Sequence, residues 1–103
     1  MTSQAGISEV EAGVLHLSGV LDYRSGPQLR AEGRSLIAAT QAPRLVLDCS
    51  AVEKSSSVGL SLLLSFLRDA DQAKKPLEIR GLPKDMRDIA KVSDLQEILP
   101  LKD

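Results

Sequence analysis

The rhythm of apolar and polar positions changes several times along the chain. Gly6 to Val10 reads as a short edge strand and Glu11-Ala12-Gly13 as a turn. Val14-Leu15-His16-Leu17-Ser18-Gly19 alternates in part and reads as a second strand. Apolar residues then recur at helical spacing through SGPQLRAEGRSLIAATQ. Ser25 can cap this helix, Pro27 suits its first turn, and Leu29, Gly33, Leu36, Ile37 and Thr40 share one face. Gly33 costs about 1 kcal/mol of helix propensity relative to Ala, so its place on that face predicts close packing there. Ala42-Pro43 breaks the pattern. In RLVLDCS the run Leu45-Val46-Leu47 is continuously apolar, which predicts a central strand buried on both faces. After the most apolar segment, Lys74-Lys75-Pro76 breaks the pattern again. PLEIRGL is then a short alternating strand, and PKDMRDIAKV an amphipathic helix with Met86, Ile89 and Ala90 on one side. SDLQEIL predicts a last helical turn or two capped by Ser93. The order β-β-α-β-α-β-α-α predicts a single α/β domain with a mixed sheet and helices over one or both faces.

The most apolar segment is KSSSVGLSLLLSFLRDA, Lys54 to Ala70, and three serines stand at its start. As a helix it places Leu60, Leu63, Leu64 and Leu67 on one face, the expected core side. Val58, Leu62, Phe66 and Ala73 form a second stripe, with Ser61, Ser65, Arg68 and Gln72 on the polar flank. A helix lying on a sheet needs one apolar face, so the second stripe is surplus. It either touches a neighbouring helix, such as the one at Met86 to Val92, or is an exposed partner surface. Phe66 is the only Phe in the chain, which favours an anchor in a partner surface.

Ser56 or Ser57 is expected to cap this helix by accepting from its free backbone N–H groups. A phosphate at this end of the helix would be favoured by the same N–H groups and by the helix dipole, so a cap and a phospho-acceptor are compatible uses of one position. A serine nucleophile has no support. The chain has no G-x-S-x-G elbow, and its one His, His16, lies in a strand pattern, facing out or filling the less buried side of the sheet.

Composition narrows the choice further. The chain has 103 residues, is 43% hydrophobic and only 2% aromatic, so the core must be built from Leu, Ile, Val and Ala. That leaves no platform for stacking bases. A net charge of −1, with 13 basic residues scattered along the chain, gives no field for nucleic acid. No charged-then-apolar leader and no apolar run long enough to span a bilayer are present, and the single Cys cannot form an internal disulfide. The expected compartment is the cytoplasm, without direct membrane insertion. Asp22 and Asp48 end two strands and are the one pair of carboxylates to weigh for acid–base work. They lack a His, a Cys or a third carboxylate at ligand spacing, so neither catalysis nor metal binding is expected. Cys49 reads as a small buried hydrophobe, and Lys74-Lys75 as a solvated helix end favourable to the dipole. The phosphate-loop pattern G-x-x-x-x-G-K is absent, so no nucleotide or other cofactor is expected.

The stretches VLHLSGVLD, LVLDCS, SSSVGLSLLLSFLRDADQAKKPLEIRGL and DMRDIAKVSDLQEILP together resemble the STAS domain family over nearly the whole chain, residues 1–103. Its members include anti-sigma-factor antagonists and the small cytoplasmic subunit of Mla-type phospholipid-transport ABC complexes. The short length, L-x-L-S-G-x-L-D, and G-L-x-L-L-L followed by Lys-Lys look most like the latter. The resemblance implies a small mixed sheet of four to five strands with helices mainly on one face, and no catalysis. It implies direct binding to the ATPase subunit of the transporter, in one complex with a permease and a periplasmic lipid-binding subunit. Gly59 and Leu60 match the family's Gly-Leu. Ser57 matches the Ser or Thr that is phosphorylated in the antagonists and faces the partner in the transporter subunit. Ser56 stands where the family usually has Asp, and Val58 where it has Ser, Thr or Gly. The implied partner surface is Ser56, Ser57, Val58, Leu62 and Phe66, with Ser57 as the possible phospho-acceptor. The alternative function is that of an antagonist switched by serine phosphorylation.

Overall fold

Gly13 turns the chain between the first two strands at a φ of +79°, a left-handed conformation open to glycine, and a methyl group there would stand 2.8 Å from Ala42 Cβ. The hairpin it makes joins β1 (Gly6–Glu11) antiparallel to β2 (Val14–Leu21). A computed structural model describes residues 5–95, 97 and 99–102 of the chain. Its further elements are α1 (Gly26–Ala39), β3 (Leu45–Ser55), α2 (Ser57–Gln72), β4 (Leu77–Arg80), α3 (Lys84–Val92) and a two-residue β5 (Leu101–Lys102). The strands lie in the order β1-β2-β3-β4-β5, with β2 to β5 all parallel.

That order decides where the helices go. Each crossover, β2-α1-β3, β3-α2-β4 and β4-α3-β5, steps one strand further in the same direction. Right-handed crossovers that all step the same way put every helix on the same face. The burial pattern agrees. Leu15, Leu17 and Leu21 of β2, Leu45, Leu47 and Cys49 of β3, and Leu77 and Ile79 of β4 are buried in one core with the helices. Val14, His16, Ser18, Val20, Val46 and Asp48 point the other way and are half-buried. The expectation that β3 is buried on both faces is therefore corrected. Its apolar run fills the core with Leu45 and Leu47, while Val46 lies beside Val14 on the uncovered face of the sheet.

β3 is longer than RLVLDCS predicts. It continues through Ala51 to Ser55, still paired with β2, by slipping register twice, between His16 and Ser18 and between Gly19 and Val20. The last helical turn or two expected from SDLQEIL falls partly on Gln96 and Ile98, which lie outside the described residues, and Ser93 ends α3 instead of starting a new helix. One bond of helical span closes there, Leu99 N–H to the Leu95 carbonyl at 3.1 Å, and β5 follows. Ser25 precedes α1 without capping it through its side chain. Its hydroxyl instead donates to the Val20 carbonyl at 2.9 Å and accepts from Asp22 N–H at 3.1 Å. Lys75 is no free helix end either. Its Nζ donates to the carbonyls of Thr40 and Ile37, which end α1, and places a positive charge on that helix's negative pole.

Within the helical layer α2 lies between α1 and α3 and packs on both. A middle helix is covered on three sides, by the sheet and by two neighbours. That is why it carries more apolar residues than one face requires.

Candidate functional site at the start of α2

The carboxyl ends of β2 and β3 meet the N-terminus of α2, and the three serines there do three different things. Ser55 closes β3, and its hydroxyl donates to the Ser56 carbonyl at 2.7 Å. This hydroxyl lies against Gly59, where a methyl group would overlap it and stand 3.0 Å from Met86 Cε. The Gly-Leu pair is thus a packing requirement at the first turn. Ser56 is the cap. Its Oγ accepts from Val58 N–H at 3.2 Å, and its own N–H donates to the Leu21 carbonyl at 2.9 Å. Ser57 is the first residue of the helix, is exposed, and has no hydrogen-bond partner for its hydroxyl among the described residues.

The second apolar stripe is not a free surface. Phe66 is 0% exposed and Leu62 3%, which corrects the expectation that Val58, Leu62 and Phe66 form an exposed partner stripe. The neighbour that covers it is α1 and not α3. The Phe66 ring lies over Gly33, and Val58 lies against Gly26, where a methyl group would stand 2.9 Å from Val58 Cγ1. The Arg30 guanidinium reaches across the same contact to the Asp69 carboxylate at 2.7 Å, and Asp69 is buried. Helical spacing gives the side of a helix on which a residue lies, but not what stands on that side. Of the five residues read as partner-facing, Ser56, Ser57 and the half-buried Val58 reach the surface.

The β2–α1 loop brings a residue that sequence reasoning missed. Tyr23 is 72% exposed and stands beside a recess lined by Pro27, Val58, Ser61, Leu62 and Ser65. Arg24 lies over its ring, 5.5 Å from the centroid, and donates to its hydroxyl at 3.2 Å. The available signal was that Tyr23 is the only Tyr in the chain, placed directly after a strand end. The loop is held in shape by Asp22, whose Oδ1 accepts from Arg24 N–H at 2.9 Å and Ser25 N–H at 3.3 Å.

Asp22 and Asp48 do not meet. Asp48 pairs in register with His16, six residues before Asp22, which puts the two carboxylates about 20 Å apart along the sheet. Asp48 accepts from the Ser50 hydroxyl and N–H, and these bonds lower its pKa, with smaller help from His16 and Arg80. Cys49 is buried, and the loss of solvation pushes its thiol up to about 12. It has no thiolate for chemistry at neutral pH. No described helix is long and apolar enough to cross a membrane.

Comparison with known proteins places this geometry. The family model described as Mlab, STAS domain matches residues 7–100. Among solved structures the chain is similar to a chain of the Acinetobacter MlaFEDB complex in an ATP-bound conformation. The two are 26% identical over 94% of this chain and 99% of that one, with a TM-score of 0.81. It is also similar to an anti-sigma factor antagonist from Mycobacterium paratuberculosis, 23% identical over 98% of this chain and 89% of that one, TM-score 0.77. The phosphorylated form of the Bacillus cell fate determinant SpoIIAA is 17% identical over 97% of this chain and 92% of that one, TM-score 0.67. The last two share the fold.

Proposed function

This chain belongs to the STAS domain family, and from that premise we propose that it is a non-catalytic accessory subunit of a Mla-type phospholipid-transport ABC complex. In this reading it works in the cytoplasm, held at the inner membrane by its complex, and docks directly on the ATPase subunit. It supports assembly or activity of the transporter and so contributes to the lipid asymmetry of the outer membrane. STAS domains are typically non-catalytic. The observation that carries the reading is the corner at the start of α2, where Ser57 is exposed and its neighbour Val58 lines a shallow recess together with Tyr23. The similarity to a chain of the Acinetobacter complex, which extends over 99% of that chain, supports the choice of partner.

The corner suits docking on physical grounds. Ser56 ties the helix start to β2, so Ser57 and Val58 are presented with little conformational freedom left to lose. An exposed Tyr next to a recess is the kind of anchor that concentrates binding energy. ATP chemistry in this reading belongs to the partner.

A second reading is favoured by one feature of the same corner. The free Ser57 hydroxyl at a helix N-terminus is where a phosphate would meet unpaired N–H groups and the positive pole of the helix. An antagonist of an anti-sigma factor, switched by phosphorylation of Ser57, would use it so.

Co-expression of the tagged chain with the ATPase subunit from the same cell tests the first reading. The expected result is a stable complex that Ser57→Arg abolishes by bulk and charge, and that Tyr23→Ala weakens about tenfold or more. A chain that folds but never co-purifies with the ATPase, and instead captures a serine kinase or anti-sigma factor, turns the assignment to the second reading.

A further inference from the structure

The contact between α1 and α2 continues past the start of α2 as a seam along the outer face of the helical layer. Its first recess is lined by Tyr23, Pro27, Val58 and Leu62, and its second by Arg34, Ile37, Gln72 and Ala73. The Arg30–Asp69 ion pair joins the two, since Arg30 lines the first recess and Asp69 the second. Asp69 is the only carboxylate lining either recess, and it is buried and held by Arg30. Arg34 follows Arg30 by one helical turn on the flank of α1 that faces α2. Arg68 stands exposed on the outward face of α2. Neither Arg34 nor Arg68 makes an ion pair among the described residues. At the near end Arg24 adds a further positive charge, and the nearby Asp22 carboxylate is taken up by two N–H groups of its own loop.

A chain of net charge −1 thus has Arg30 and Arg34 lining one seam, Arg68 on its outer border one helical turn before Gln72, and Arg24 near its end beside Tyr23, where a recess of apolar character opens. We infer that this seam is the docking strip for an acidic segment of the partner polypeptide. One apolar side chain of that segment seats over Val58 and Leu62, and its carboxylates lie along Arg34 and Arg68. The inference rests on the proposed ATPase-binding role and specifies the chemistry of what binds. Charge complementarity favours an acidic occupant, and the apolar recess at one end favours a polypeptide over a layer of lipid headgroups. Arginine suits the task because its planar fork pairs with carboxylates two bonds at a time. The strip is about 20 Å long on helical geometry, room for a few turns of helix or some six extended residues.

The test uses the whole chain and the ATPase subunit, with Arg34→Glu, Arg68→Glu, the double variant, and Arg34→Lys with Arg68→Lys. Thermal melting of all four should match the unaltered chain, since both side chains are exposed and free of ion pairs. The expected result is a slower association and a Kd at least about tenfold weaker for the double Glu variant, with binding partly or fully retained in the double Lys variant. Raising salt from about 0.05 to 0.3 M should weaken binding of the unaltered chain more than that of the double Glu variant. A double Glu variant that binds as tightly as the unaltered chain, while Ser57→Arg does not bind, overturns the seam and leaves the ATPase reading standing. An unaltered chain that does not bind the ATPase overturns both. Binding to phosphatidylcholine vesicles carrying phosphatidylglycerol that is lost in the double Glu variant, with ATPase binding unchanged, overturns the inference in favour of a membrane surface.

Discussion

The Phe66 ring sits directly over Gly33, so close that a methyl group at Gly33 would stand 2.7 Å from Phe66 Cζ. The glycine in α1 exists because the only Phe of the chain occupies the space its side chain would need. One residue therefore lowers the helix propensity of α1 and the other fills the space that this opens.

Gly33→Ala should destabilise the domain although it raises helix propensity by about 1 kcal/mol. The overlap with a fully buried ring outweighs that gain, for a net loss of roughly 1–3 kcal/mol. Phe66→Ala should cost about 3–5 kcal/mol, and Phe66→Asp should leave the chain unfolded. Urea unfolding of the three variants checks this. A Gly33→Ala protein more stable than the unaltered one would show that α1 and α2 do not meet as described.

The caps can be separated. Ser56→Ala removes the acceptor for Val58 N–H and should cost about 1 kcal/mol. Ser57→Ala removes an exposed hydroxyl and should stay within about 0.5 kcal/mol. Ser57→Glu should fold normally, because a negative charge at the first turn is favoured by the dipole. Chemical denaturation ranks the three, and an order with Ser57→Ala as the costliest would contradict the assignment of the cap.

A pH dependence follows from Glu9. Its carboxylate accepts from Gly13 N–H at 2.8 Å and from the Thr40 hydroxyl at 2.7 Å, tying the hairpin to the end of α1. These bonds, the Gly13 one first, lower its pKa below the usual 4.5, with further help from the Lys75 ammonium. A depressed carboxyl pKa stabilises the fold above the ordinary value, and that stabilisation is lost as pH falls through the folded value. The stability gap between the unaltered chain and Glu9→Gln should therefore be full at pH 7 and close progressively below about 4.5. Thermal melting of both proteins from neutral to acid pH measures it. A gap that stays constant into acid would remove Glu9 from this role.

Much of the architecture was legible in the chain because it depends on local pattern. The alternation in β2, the breaks at Pro43 and Pro76 and the order of strands and helices gave the α/β fold. Gly33 announced close packing by its cost. The parts that could not be read depend on who stands next to whom. Leu45-Val46-Leu47 is equally apolar whether one face of β3 is covered or two, and only the common direction of the crossovers leaves Val46 on the open side. The side of α2 with Val58, Leu62 and Phe66 was identified, but nothing within α2 says that α1 lies there. The close packing anticipated at Gly33 and the surplus stripe on α2 were two halves of one contact, 33 residues apart in sequence. β5 is too short to leave a pattern, and Tyr23 is a single residue in a loop.

The bond from Ser56 N–H to the Leu21 carbonyl has a consequence for the life history of the protein. It joins the end of β2 to the start of α2 across the whole of α1 and β3, continuing the ladder that ends with Leu21 beside Ser55, so it exists only where those strand ends have paired. A contact of this sequence separation costs more loop-closure entropy than the local bonds of a helix. The corner that carries Tyr23, Ser57 and Val58 is thus not assembled by helix formation alone, because it needs the β2–β3 pairing as well. Any partner that reads this corner is also a proofreader. It samples finished molecules only, and an assembly line built on that contact rejects immature subunits without needing a separate inspector.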